Sequence, residues 1–231
     1  MAAAELLLAH YRQLRDEGFP VYGIFDVIQE APLSDHDRAE FFKQAAGLAE
    51  IVILYKMQAK VNLGDAADRL IKLEVPEALV AFTAWRTTAA KAAKTSNRAL
   101  KMVLGSFAAW IDKCRPHARA AFCQIAPELA DSMYDLEEHQ VGELIDAANS
   151  LGTADDCARV LKLLGQYGIT DGKTVSAMFR IARRAFESGR MERFEELVAR
   201  APALKVINSP DAQRLIPALA RLADTLDGKD K

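Results

Sequence analysis

Apolar residues recur at helical spacing along almost the whole chain, and that periodicity most narrows the fold. Leu100, Val103, Leu104, Phe107, Trp110 and Ile111 fall at i, i+3, i+4, i+7, i+10 and i+11, a single helix face. Leu7, Tyr11 and Leu14 form an earlier stripe, with Gly18 as its C-terminal stop. Val21, Ile24, Phe25 and Ile28 form the next, ended near Pro32. Ser34-x-x-Asp37 has the form of a capping box, and it opens a long helix carrying Phe41, Ala45, Leu48, Val52 and Tyr55. That helix is expected to stop near Gly64, where Asp65 is placed to cap a short helix holding Leu70 and Leu73. Pro76 suits a first-turn position of another helix. No alternating strand pattern of useful length occurs, so the expected fold is all-α.

The chain has 231 residues, room for one extended domain or two small ones. Its 51% hydrophobic content supplies a sizeable core, and twelve Gly with eight Pro leave little for long linkers. The longest uncharged apolar run near a core, residues 102 to 111, is about half of the ~20 residues that a membrane-spanning helix needs. No membrane span is expected. Three cysteines, Cys114, Cys123 and Cys157, cannot all pair and are too sparse for a disulfide scaffold, so a reducing compartment is expected. The first residues carry no early basic region, and Glu5 precedes a leucine run of three. They read as an ordinary helix rather than a secretory signal.

Helix, glycine, helix is a recurring order. Asn149-Ser150-Leu151-Gly152 and Phe186-Glu187-Ser188-Gly189 each end a stripe at a glycine and are followed by a helix of similar length. Leu14 to Gly18-Phe19 and Leu164 to Gly168-Ile169 share a second pattern of Leu, three residues, Gly and an apolar residue. The segment Glu143 to Asp171 resembles a pentatricopeptide repeat through Leu144-Ile145-Asp146, Gly152, Leu164 and Gly168-Ile169. Residues 176 to 202 are similar through Ile181, Gly189 and Leu197, and also fit a tetratricopeptide hairpin. Residues 14 to 20 look like the exit of an earlier repeat, and residues 63 to 76 are a poorer relative. The resemblance implies a right-handed array of antiparallel helical hairpins, an α-solenoid, and it is best over residues 143 to 202. In repeats of this family that read RNA, two polar side chains contact each base. The matching positions here are Gly142 and Gly172, so base-by-base readout is not implied. Small proteins of this kind resemble building parts of organellar complexes, mitochondrial ribosomes among them.

Charge is segregated along the chain. Residues 78 to 119 hold eight Lys or Arg against one acid, Asp112, while residues 120 to 158 hold nine acids and no Lys or Arg. On one continuous helix Lys91, Lys94, Arg98 and Lys101 would line a single face, with Thr95, Ser96 and Asn97 beside them. Cations at repeated spacing with short polar neighbours suit a phosphate backbone. No aromatic lies between residues 86 and 106, so the contact would be blind to sequence. Three other readings fit the same residues. The face is simply solvated, or it lies against the acidic region 128 to 146, or the segment breaks between two helices with Thr95 or Ser96 capping the second. Arg180, Arg183, Arg184 and Arg190 form a second basic cluster.

Cys114-x-x-His117 followed by Cys123 is the one metal-like grouping, with His139 or Cys157 as a fourth ligand. The paired spacing of a zinc motif is missing and Cys123 lies on an apolar stripe, so no metal and no cofactor are expected. Trp85 and Trp110 lie on apolar stripes as core or interface anchors. Phosphate loop, nucleophile elbow and nucleotide fingerprint are all absent from the sequence, and no enzyme is expected.

Three stretches are expected: N-terminal hairpins (1–77), a basic helical segment (78–119) and a C-terminal repeat region (120–231), together forming one continuous solenoid. The expected function is a non-catalytic subunit or adaptor of an organellar ribonucleoprotein in a mitochondrial or other organellar matrix, otherwise in the cytoplasm. Arg86, Lys91, Lys94, Arg98, Lys101, Arg180, Arg183 and Arg184 would meet RNA backbone or an acidic partner. The alternatives are a free RNA-binding repeat protein, or a protein-only scaffold of a respiratory or secretion complex. No small-molecule substrate is expected.

Overall fold

The computed structural model describes residues 22–57 and 62–130, together with positions 141, 142, 145, 146 and 149. Six helices cover most of this region: α1 (Tyr22–Glu30), α2 (Asp35–Leu54), α3 (Leu63–Ile71), α4 (Val75–Thr95), α5 (Asn97–Lys113) and α6 (Pro116–Leu129). No strand occurs among the described residues, as the spacing of apolar residues requires. The expected stripe at Leu7, Tyr11 and Leu14 lies outside the described residues, and so do the repeat-like units at 152 to 202.

The chain divides into two compact units. One contains Met1–Lys113 with Ala126–Tyr134, the other Cys114–Ile125 with Asp135–Lys231. Helices α1 to α5 belong to the first.

Local chemistry sets the ends of these helices. Ser34 caps α2, its Oγ accepting from the Asp37 amide at 3.1 Å. Helix α2 stops at Leu54, well short of the expected end near Gly64. The Lys56 amide donates to the Ile53 carbonyl (3.1 Å) and the Met57 amide to the Val52 carbonyl (2.9 Å). This is a Schellman closure, and its left-handed position is held by Lys56 at φ 50° rather than by glycine. Helix α3 is capped by Asn62, whose Oδ1 accepts from the Asp65 amide at 3.2 Å, and not by Asp65 as expected. Leu73 falls beyond its end. Pro76 takes the expected first-turn position of α4, where its missing N–H costs nothing.

Each of α1 to α5 packs on a helix two places away as well as on a neighbour. The pairs are α1–α3, α2–α4 and α3–α5, with α1–α2, α3–α4 and α4–α5. Gly23 of α1 and Gly64 of α3 let two backbones approach: a Cβ on Gly23 would stand 3.2 Å from the Gly64 Cα. Gly64 is therefore a crossing point inside a helix and not a stop. Phe41 of α2 meets Phe82 of α4 edge-on at 5.1 Å. Further along, Arg86 lies over Gly47, with its Cδ 2.5 Å from where a Gly47 Cβ would be. Both contacts advance in the same chain direction, so α2 and α4 run parallel.

Aromatic side chains fill the space between these helices. From Phe82 the ring contacts continue to Trp85 (5.9 Å), to Phe107 of α5 (6.5 Å) and to Trp110 (6.3 Å). All five rings are buried, and burying a side chain of this size contributes about 1.5–3 kcal/mol. The stripe Leu100, Val103, Leu104, Phe107, Trp110 and Ile111 is buried throughout, as its spacing predicts. Among the described residues no helix is long and apolar enough to cross a membrane.

Candidate functional site

The basic stretch does not form one continuous helix. Helix α4 ends at Thr95, and α5 begins at Asn97. Ser96 between them is extended, with φ −167° and ψ 156°. This single residue closes one helix and opens the next. Its amide donates to the Ala92 carbonyl at 3.0 Å, and its Oγ accepts from the Ala99 amide at 3.0 Å. Its carbonyl accepts from the Leu100 amide, also at 3.0 Å. Ser96 is thus the cap of α5, one of the two capping residues considered from sequence. The single face of Lys91, Lys94, Arg98 and Lys101 is replaced by an elbow, with Lys91 and Lys94 ending α4 and Arg98 and Lys101 starting α5.

Lys94, Arg98 and Lys101 are exposed, and Lys91 is half-buried. From residue 78 to residue 111 the sequence contains no acid. Four other cations of the first unit sit beside carboxylates. Arg38 lies 3.5 Å from Asp35, Lys43 3.8 Å from Glu40, Arg69 3.2 Å from Asp112 and Lys72 2.5 Å from Asp68. Lys94, Arg98 and Lys101 have no carboxylate partner among the described residues. Lys94 in the last turn of α4 is favoured by the helix dipole. Arg98 is opposed by it: the first turn of α5 contains no acid, and a cation there faces the positive helix end at a cost of about 0.3–1 kcal/mol. An anion held at the elbow would remove that opposition.

Arg86 is not at the elbow. Its aliphatic stem covers Gly47, its Nε is buried, and it belongs to the α2–α4 packing. Arg180, Arg183 and Arg184 lie outside the described residues. Lys56 was not singled out from sequence. It is exposed at the end of α2, and only its left-handed backbone marks it out.

The cysteine and histidine grouping lies in the second unit. Cys114 and Cys123 are both buried. Burial pushes the Cys114 thiol up to about 12; the neighbouring Cys123 adds to the rise, and Arg119 opposes it. A metal ligand needs the thiolate, which this environment disfavours. His117 is exposed, and its Nε2 stands 3.2 Å from the Asn149 carbonyl. Asn149 Oδ1 also accepts from the Arg115 amide at 2.7 Å, just ahead of α6. Among the described residues no group of His, Cys, Asp and Glu is arranged to hold a metal ion. His139 and Cys157 lie outside them.

No family model, curated protein or solved structure matches this chain.

Proposed function

We propose that this protein is a non-catalytic helical-array subunit that contacts RNA backbone through Lys94, Arg98 and Lys101. The observation that carries the reading is the elbow at Ser96. It gathers exposed cations with no carboxylate partner among the described residues, in a stretch without acids, and sets one of them against a helix dipole. Thr95 and Asn97 are exposed between them and add hydrogen-bonding groups. The array is read as an α-solenoid of antiparallel hairpins. Two features support it: packing on the next helix but one, and stacking of Trp85 on Phe107 at positions symmetric about Ser96. A right-angled corner would carry those rings far apart, whereas a hairpin brings them level. An organellar ribonucleoprotein is the setting proposed, resting on the pentatricopeptide resemblance of residues 143 to 202.

The test is binding of a fluorescent oligouridylate to the full chain across a salt series. Each phosphate contact on a single strand steepens the slope of log affinity against log salt by about 0.7. Lys94→Ala is expected to weaken binding about fivefold at ~0.1 M salt and to make the slope shallower by that amount. The pair Lys94→Glu and Arg98→Glu is expected to abolish binding. Unchanged affinity in both variants sinks the reading. Capture of an acidic protein that survives nuclease would assign the elbow to a protein partner instead.

A further inference from the structure

We propose that Lys56 is an additional phosphate-contacting residue of the same surface, held in a strained conformation for that purpose; this rests on the RNA reading of the elbow. The first observation is the backbone. Lys56 is the one non-glycine residue with positive φ among the described residues, at φ 50°. That position closes the Schellman motif of α2, where glycine carries no penalty and a side chain does. Strain of this kind persists where a side chain is needed for something else. The lysine side chain is exposed and has no ion pair among the described residues.

The second observation is its position. Helices α2 and α4 run parallel through the Phe41–Phe82 and Gly47–Arg86 contacts. Lys56 stands as far beyond Gly47 as Thr95 stands beyond Arg86. The end of α2 therefore reaches the same end of the helix pair as Lys94 and the Ser96 elbow. Two helix C-termini and the start of α5 then present Lys56, Lys94, Arg98 and Lys101 together at one end of the first unit. The carbonyls at those two C-termini favour cations, which helps to hold Lys56 and Lys94 there.

Glycine at position 56 separates the two roles of this residue, because it relieves the backbone and removes the charge at once. Urea unfolding and oligouridylate binding are measured on the full chain for the parent, Lys56→Gly and Lys56→Arg. Lys56→Gly is expected to unfold at higher urea while binding about fivefold more weakly at ~0.1 M salt, with a slope shallower by about 0.7. Lys56→Arg is expected to bind like the parent. Parent-like affinity and slope in Lys56→Gly, alongside weakened Lys94→Ala, overturn the role of Lys56 and leave the elbow standing. Lower stability in Lys56→Gly overturns the strain argument. If the parent shows no salt-dependent binding, the RNA reading falls and Lys56 falls with it.

Discussion

At the scale of single residues, burial decides what chemistry is open to a side chain. Cys114 shows this most sharply. Its thiol rises from the ordinary 9.0 to about 12, first because it is buried and then because Cys123 lies nearby. The sign of the linkage follows. Below pH 9 the thiol keeps its proton folded or unfolded, and stability is unaffected. Between 9 and 12 the unfolded chain releases a proton that the folded chain retains, so stability falls as pH rises through this window. The fall is at most about 1.4 kcal/mol per pH unit. Other groups titrate here too, so the measurement is a comparison of the parent with Cys114→Ala in urea across the window. The parent is expected to lose stability more steeply. Equal slopes would mean that the Cys114 thiol is not held protonated by the fold. The sequence placed Cys123 on an apolar stripe; Cys114 also keeps the register of the buried α5 face, three residues after Ile111 and seven after Phe107, but Arg115 and Pro116 beside it obscure that cue.

At the scale of elements, two glycines in helices face opposite circumstances. Gly64 lies inside α3 against the backbone of Gly23, where its own Cβ would stand 3.3 Å from the Gly23 Cα. Gly142 is also helical, and among the described residues a Cβ there meets nothing within 4 Å. Alanine gains up to about 1 kcal/mol over glycine in a helix. At position 142 no described residue opposes that gain, and Gly142→Ala is expected to stabilise by about 0.5–1 kcal/mol. At position 64 the new methyl must push α1 and α3 apart, an overpacking cost of about 1–3 kcal/mol that outweighs the gain. Gly64→Ala is thus expected to lower stability by about 1 kcal/mol, read as the shift in urea midpoint. A stabilised Gly64→Ala would show that the helix crossing yields easily. The same pair of elements marks what the sequence could and could not disclose. Apolar spacing gave the buried faces of α1, α2 and α5, because that period follows directly from helix geometry. It could not show that Gly64 is a crossing point, because the contact partner is distant in sequence. It also missed the end of α2, where Lys56 takes the position that glycine would have announced. The break at Ser96 was legible only as one of several readings. Lys91 to Lys101 keep helical spacing across it, and the extended backbone of Ser96 with its cap hydrogen bond to Ala99 distinguishes an elbow from a continuous helix.

At the scale of the whole molecule, the core and the candidate surface are built from different residues of the same helices. On α4, Phe82 and Trp85 enter the aromatic series while Lys94 faces solvent; on α5, Phe107 and Trp110 are buried while Arg98 and Lys101 are exposed. Folding and polyanion binding should therefore separate under mutation. Both tryptophans of the chain lie in the first unit, so tryptophan fluorescence follows the unfolding of that unit. Phe82 touches both Phe41 and Trp85, and Phe82→Ala is expected to cost about 3–5 kcal/mol by that signal. Held cold enough to stay folded, the same variant should bind oligouridylate like the parent. Replacing Lys94, Arg98 and Lys101 together by alanine should do the reverse. Exposed substitutions of this kind stay within about 0.5 kcal/mol of the parent, and relief of repulsion among three cations leans toward stabilisation. Binding should be lost. A triple variant that unfolds along with its loss of binding would mean that the cations hold the elbow together, and the surface assigned to RNA would instead be part of the fold.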